Sequence, residues 1–300
     1  MSADSEFSPS VIADLLKTAI AAAQTAGAYA AASRDRRTET LSVAAHDVKL
    51  KLDVESQMEA ERVIRARHPG HLVLGEETAS SAPAVNGHDE FEWIIDPIDG
   101  TVNFTHGLPF WCCSVAVRKG RRVLAGAVFA PALGDLYAAA VGVPATRNGQ
   151  PLRVSSVPTL NKALVMTGLD QKITTRMDRL DVFRALADNV QKVRVMGAAA
   201  IDICRVAAGE ADAYFESGIY TWDIAAAGLI VEQAGGKIET LDDDGRHRLC
   251  FMATNGLIHD ALRDLILGIM ISPPPPSPGH RPGTERGRRR PAAISPSALP

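Results

Sequence analysis

Two aspartates three positions apart, Asp96 and Asp99, close the hydrophobic run Trp93-Ile94-Ile95-Asp96-Pro97-Ile98-Asp99-Gly100-Thr101. Carboxylates at the end of a strand that reads as buried are costly unless they are paired or bind a cation. Pro97 fixes the backbone between them, so both side chains and the Ile98 carbonyl can converge as hard oxygen donors of the kind Mg²⁺ prefers. Gly100 allows close backbone approach, and the amides of Gly100 and Thr101 can face an anion if a helical turn starts there. The chemistry this supports is metal-assisted hydrolysis of a phosphate ester. The same residues also fit a plain Asx-type turn, in which the aspartates satisfy nearby amides. Gly75-Glu76-Glu77 follows another short β-prone run, and Trp222-Asp223 opens a helix, where a capping acid is the simpler reading. No HExxH or comparable His-rich spacing is present, which disfavours zinc.

In combination these segments resemble the inositol monophosphatase family, within a wider superfamily of lithium-sensitive, metal-dependent phosphatases. Gly75-Glu76-Glu77, the run Trp93 to Val117, Gly197-Ala198-Ala199, Tyr214-Phe215-Glu216 and the run Trp222 to Gly236 fall in the family's order and spacing, over about residues 10 to 270. The resemblance implies that Glu76, Asp96 and the Ile98 carbonyl hold one Mg²⁺, and that Asp96, Asp99 and Asp223 hold a second, with Asp96 between them. A third, weaker ion near Glu76 occurs in relatives, so two or three Mg²⁺ per site are implied. Two such ions clamp the attacking and leaving oxygens of an in-line displacement. Thr101 and Glu76 would orient and deprotonate the attacking water, with Asp53 hydrogen-bonded behind Thr101. Asp53 also reads as a capping acid ahead of a predicted helix.

By the same resemblance the substrate meets Ile98, Asp99, Gly100, Thr101 and Asp223, the backbone of Gly197-Ala198-Ala199, and Glu216, which accepts from polyol hydroxyls. An exposed strand-end acid is the plainer reading of Glu216, and His106 reads as structural. The chain departs from many relatives at Ala198, where they carry Ser or Thr, and at Lys49-Leu50, which follows Asp47-Val48 where they have a valine-threonine pair. The implied activity is hydrolysis of a myo-inositol-1-phosphate-type monoester. Histidinol phosphate, a 3'-phosphoadenosine nucleotide and fructose 1,6-bisphosphate are the alternatives within the superfamily. A catalytically silent regulator is the reading from another class, and four intact, mutually repelling acids argue against it.

Other parts of the chain must position these residues. With 300 residues, 46% of them hydrophobic, a substantial core is available, and a net charge of -3 offers no global attraction to nucleic acid or an anionic membrane. Cys112, Cys113, Cys204 and Cys250 show no CxxC spacing and read as reduced core residues. No signal-like start and no membrane-length apolar run is present, so a cytoplasmic protein is expected. Ser8 or Ser10 with Pro9 starts a helix running to about Ser33, and a second helix is predicted from Glu55 to His68. Short β-prone runs follow up to Ala140, so the first half reads as two helices on a largely antiparallel sheet.

From about Val154 strands and helices alternate, with helices over Thr174 to Asn189, Ala198 to Ala208 and Asp223 to Ala234. The expected fold is therefore an α+β and α/β layered sandwich, α-β-α-β-α. Residues 1–153 would carry most metal ligands, and 154–272 would carry Asp223 and the substrate loop. The Pro- and Arg-rich stretch 273–300 reads as a disordered tail. The Ala-rich helix faces suggest close packing and a homodimer.

Overall fold

A computed structural model describes residues 7–44, 47–78, 90–169 and 179–271. The tail 273–300 and the start of the helix expected from Thr174 lie outside the described residues. Helix α1 (Pro9–Ala32) begins as the sequence indicates: Ser8 accepts the Val11 amide and Pro9 occupies the first turn, where its missing N–H is not needed. A hairpin of β1 (Thr40–Ala44) and β2 (Asp47–Leu50) leads into α2 (Lys51–Arg67). This helix starts four residues before the expected Glu55, so Asp53 lies inside its first turn rather than ahead of it.

A seven-stranded sheet then runs through β3 (Leu72–Gly75), β4 (Phe91–Asp99), β5 (Cys112–Lys119), β6 (Arg122–Ala130), β7 (Asp135–Ala140), β8 (Val143–Arg147) and β9 (Gln150–Pro151) in spatial order. Only its first pair, β3 with β4, is parallel. Between β4 and β5 lies α3 (Thr101–His106). The second half adds β10 (Leu164–Thr167), α4 (Arg179–Asn189), β11 (Lys192–Arg194), α5 (Ala199–Ala207), β12 (Ala213–Tyr220), α6 (Thr221–Gln233), β13 (Lys237–Asp243), β14 (Arg248–Thr254) and α7 (His259–Ile271). Its five-stranded sheet has the order β11-β10-β12-β14-β13 and is mixed, because the β13–β14 hairpin, which the sequence did not announce, runs antiparallel.

Three buried clusters give the layers. Apolar side chains of α1 and α2 pack on one face of the large sheet. The other face meets α5 and α6, which also touch the small sheet. Helices α4 and α7 cover the far side of that small sheet. The layering is thus α-β-α-β-α, as expected. Adjacent cysteines show how strand alternation sorts the layers, since Cys112 faces α5 and α6 while Cys113 faces α1. All four cysteines are unpaired and buried.

Helix α6 is apolar nearly all round, with Trp222 and Ile224 to Val231 buried, as a helix between two sheets must be. Its alanines allow close approach: a Cβ on Gly126 of β6 would lie 2.8 Å from the Ala226 backbone. This is the close packing expected of Ala225 to Ala227. Among the described residues, no helix is long and apolar enough to cross a membrane.

Candidate active site

Residues three apart on a regular strand point to opposite faces, so Asp96 and Asp99 need a local irregularity to converge. The pairing of β4 with β5 supplies it. Asp96 pairs with Ser114 and Asp99 with Cys112, so one extra residue on β4 is absorbed at Pro97-Ile98. Such a β-bulge realigns the two aspartates on the face that looks toward α5 and α6. Proline suits this position because a bulged residue has no ladder bond to donate. The Asx-type turn is also present, with the Ile98 amide donating to Asp96 Oδ1 at 3.1 Å. Turn and acidic cluster therefore coexist.

Three elements bring the other acids in. Glu76 follows β3 directly, with its amide bonded to the Ile95 carbonyl of β4 (3.0 Å), and its carboxyl acts electrostatically on Asp96. Asp223 occupies the third position of α6, where its Oδ2 accepts the Tyr220 amide at 2.9 Å. Ser114, the cross-strand partner of Asp96, donates to the Trp222 carbonyl (3.3 Å) and ties the start of α6 to the sheet. One carboxylate oxygen from each of Asp96, Asp99 and Asp223 lies within 4.8 Å of the other two.

Their electrostatics follow from crowding in a dry place. Asp96 and Asp99 are 2% and 7% exposed. Burial first, then the neighbouring carboxylates, pushes Glu76 and Asp96 well above the ordinary carboxylate range. Burial likewise raises Asp223 to about 8 and Asp99 to about 6, the latter held lower by amides that bond to its charged form. Those amides are Ala199, 3.0 Å from Oδ1, and Ala200, 2.8 Å from Oδ2, in the first turn of α5. Cys112 Sγ also donates to Asp99 Oδ2 at 3.4 Å.

The remaining candidates surround this group. Gly100 adopts φ +86°, a conformation that favours glycine, and leads into α3, where the Thr101 hydroxyl donates to the Ile98 carbonyl at 2.9 Å. Asp53 takes the Leu50 amide at 2.7 Å as an acid of the first turn of α2, and it faces Glu76 electrostatically. Thr101 and Asp53 thus each bond to backbone, the one at Ile98 and the other at Leu50. The Gly197-Ala198-Ala199 loop meets the cluster through the Ala199 amide, which Asp99 holds. Glu216 sits within β12, opposite Phe251, rather than at a strand end; it takes the Tyr214 hydroxyl, lies against the Gly168 backbone and acts electrostatically on Asp223. His106 closes α3 and enters none of these contacts.

Two side chains near the site, Asn103 and Asp202, were not singled out from sequence. Asn103 donates through Nδ2 to the carbonyls of Phe110, Met196 and Gly197, at 2.9, 2.8 and 3.2 Å, and so anchors the Gly197 loop to α3. Asp202 in α5 is 1% exposed, and its Oδ1 has no hydrogen-bond partner among the described residues. Burial, then Asp99 and Glu216, raise it to about 9. A charged residue on the buried face of an apolar helix was its one available signal. Glu77, read in the sequence only beside Glu76, forms an ion pair with Lys49 at 2.5 Å.

The profile of the "Inositol monophosphatase family" matches residues 12–269. The chain belongs to that family. It is 37% identical over 237 residues to the protein named Nus factor SuhB of Pasteurella multocida, covering 78% of this chain and 86% of that one. It is 36% identical over 223 residues to an inositol-1-monophosphatase of Synechocystis sp., covering 73% and 76%. The solved inositol monophosphatase of Anabaena (Nostoc) sp. superposes with a TM-score of 0.74 at 31% identity, over 86% of this chain and 97% of that one. The chain is accordingly an inositol monophosphatase-family phosphatase, and the family is metal-dependent. The donor set fits a hard divalent cation, being all oxygen and short of positive charge.

Proposed function

We propose that the chain hydrolyses the phosphate monoester of a small polyol, of the myo-inositol-1-phosphate type, with Mg²⁺ as cofactor. The observation that carries this reading is the convergence of Asp96, Asp99 and Asp223 within 4.8 Å of one another, with Glu76 at the end of β3 acting on Asp96. These four side chains, with the Ile98 carbonyl, would hold the ions. Bound there, divalent ions would polarise the phosphoryl group, lower the pKa of water and stabilise the leaving oxygen.

The protein's own groups supply position and proton transfer. The Thr101 hydroxyl spends its proton on the Ile98 carbonyl, so its oxygen is left to accept from the attacking water. Glu76 takes the proton that this water loses, at a carboxylate oxygen made more basic by burial and by Asp223 and Asp53. Asp99 is kept in one orientation by the Ala199 and Ala200 amides. Glu216, oriented by Tyr214, receives the substrate's hydroxyls. With Ala198 in place of a hydroxyl residue, this loop offers backbone contacts alone. A cytoplasmic homodimer belongs to the same reading.

A panel of myo-inositol 1-phosphate, histidinol phosphate, 3'-phosphoadenosine 5'-phosphate and fructose 1,6-bisphosphate, assayed with Mg²⁺, tests the substrate. The inositol ester should turn over with the highest kcat/KM, and nucleotide turnover far above it would overturn the assignment. The similarity to proteins named Nus factor SuhB supports a second, regulatory reading. No turnover of any ester by metal-loaded protein would favour it.

A further inference from the structure

We infer that Lys49 is a tethered cation standing in for one divalent ion at the outer edge of the acidic site, so that this chain holds two metal ions rather than three. The inference rests on the metal reading above. Lys49 lies in β2, one residue before the Leu50 amide that Asp53 accepts. Its Nζ is 2.5 Å from Oε2 of Glu77, whose side chain is only 6% exposed. Glu76 and Asp53 also act on this ammonium.

Both partners of the ion pair are held by the same helix. The Leu50 amide bonds to Asp53 of α2, and the Glu77 amide donates to Gln57 Oε1 of α2 at 3.1 Å. Lys49, its side chain 39% exposed, thus meets a nearly buried Glu77 in a geometry that α2 fixes on both sides. The acids divide accordingly. Asp96, Asp99 and Asp223, with Glu76 on Asp96, form an inner group. Glu76, Glu77 and Asp53 form an outer group around the ammonium.

Charge and space then point the same way. Against six carboxylates, two divalent ions and one ammonium leave a single negative charge. Without the ammonium the same site is short by two charges, the amount one further divalent ion supplies. Of the outer acids, Glu77 already has its cation in Lys49. An ion beside Glu76 would also meet the repulsion of the Lys49 ammonium, whose side chain is 39% exposed and whose charge Glu76 and Glu77 both favour.

The test counts ions rather than turnover. Metal-free protein is titrated with Mn²⁺ near pH 7.5, free ion being read by electron paramagnetic resonance, for the wild type, Lys49→Gln and Lys49→Arg. Two Mn²⁺ per chain in the wild type and Lys49→Arg, with an additional weaker ion in Lys49→Gln, is the expected result. Three in the wild type, or isotherms that superpose for the wild type and a folded Lys49→Gln, would overturn the role of Lys49 and leave the metal reading standing. No binding to any of the three proteins would overturn both. If Lys49→Gln does not fold, the wild-type count decides alone: two supports the inference and three rejects it.

Discussion

Asp99 accepts the amide of Ala200 at 2.8 Å, across a sequence separation of 101 residues, so a carboxylate of the large sheet caps the first turn of α5. The contact joins the acidic cluster to the Gly197-Ala198-Ala199 loop and makes one residue answer to both. It also explains why Asp99 stays closest to the ordinary range among the four acids, since amide donors favour its charged form.

Asp99→Asn should separate these roles. The amide oxygen can still accept one backbone N–H, but the NH₂ group opposes the other and the charge is gone. Turnover is expected to fall at least about 100-fold, on the scale of losing a group that stabilises charge in the transition state. Stability should change by about 1–3 kcal/mol, the range for disturbing a charged hydrogen bond. Kinetics beside circular dichroism check this, and near-normal turnover would place the chemistry elsewhere.

Mg²⁺ should stabilise the fold by linkage. At a concentration 100-fold above Kd the gain is about 2.7 kcal/mol, which raises Tm by about 5–10 °C for a chain of this size. Differential scanning calorimetry with and without chelator measures it. No shift at millimolar Mg²⁺ would count against the metal assignment.

The pH dependence has a definite sign. Carboxyls raised in the fold contribute stability that is complete below their unfolded values near pH 4 and is lost as pH rises through the folded ones, about 6 for Asp99 and about 8 for Asp223. The metal-free Tm is therefore expected to decline between about pH 5 and pH 8.5, while the Mg²⁺-induced shift grows because ions and protons compete for the same oxygens. Melts with chelator and with Mg²⁺ across this range test both trends together.

Asn103→Ala should act on the loop. Its two N–H donors serve three carbonyls, and removal leaves the Gly197 loop without that anchor. KM is expected to rise by about tenfold, a cost of about 1.4 kcal/mol, with kcat moving less. Equal losses in kcat and kcat/KM would show that Asn103 serves the reaction step instead.

Gly126→Ala probes the packing behind Asp223. The added Cβ would press on the Ala226 backbone, and overpacking of this kind costs about 1–3 kcal/mol. Because α6 carries Asp223 in its first turn, the Mg²⁺ concentration for half-maximal activity should also rise. A lowered Tm with unchanged Mg²⁺ dependence would uncouple the helix position from the ion site.

Local chemistry was legible in the sequence, and long-range pairing was not. Ser8-Pro9 announced α1, and Asp96-Pro97-Ile98-Asp99 announced a place where oxygens gather, because each signal acts within a few residues. The convergence of Asp96 and Asp99 was expected, but its cause, a bulge against Ser114 and Cys112, depends on a partner strand that no local pattern names. Asp53 was placed ahead of a helix expected from Glu55, and the Leu50–Asp53 bond shows that the turn has already begun at Lys51. Lys49 stood out as an unusual residue, yet its pairing with Glu77 joins segments with no common motif. The β13–β14 hairpin escaped because charged turn residues mask its short apolar core.

The most direct measurement is the anomalous scattering of crystals soaked with Mn²⁺ and phosphate. Strong peaks bounded by the carboxylates of Glu76, Asp96, Asp99 and Asp223, with phosphate beside them, are the predicted result. Mn²⁺ bound elsewhere, with these four side chains free of any ion, would contradict the account.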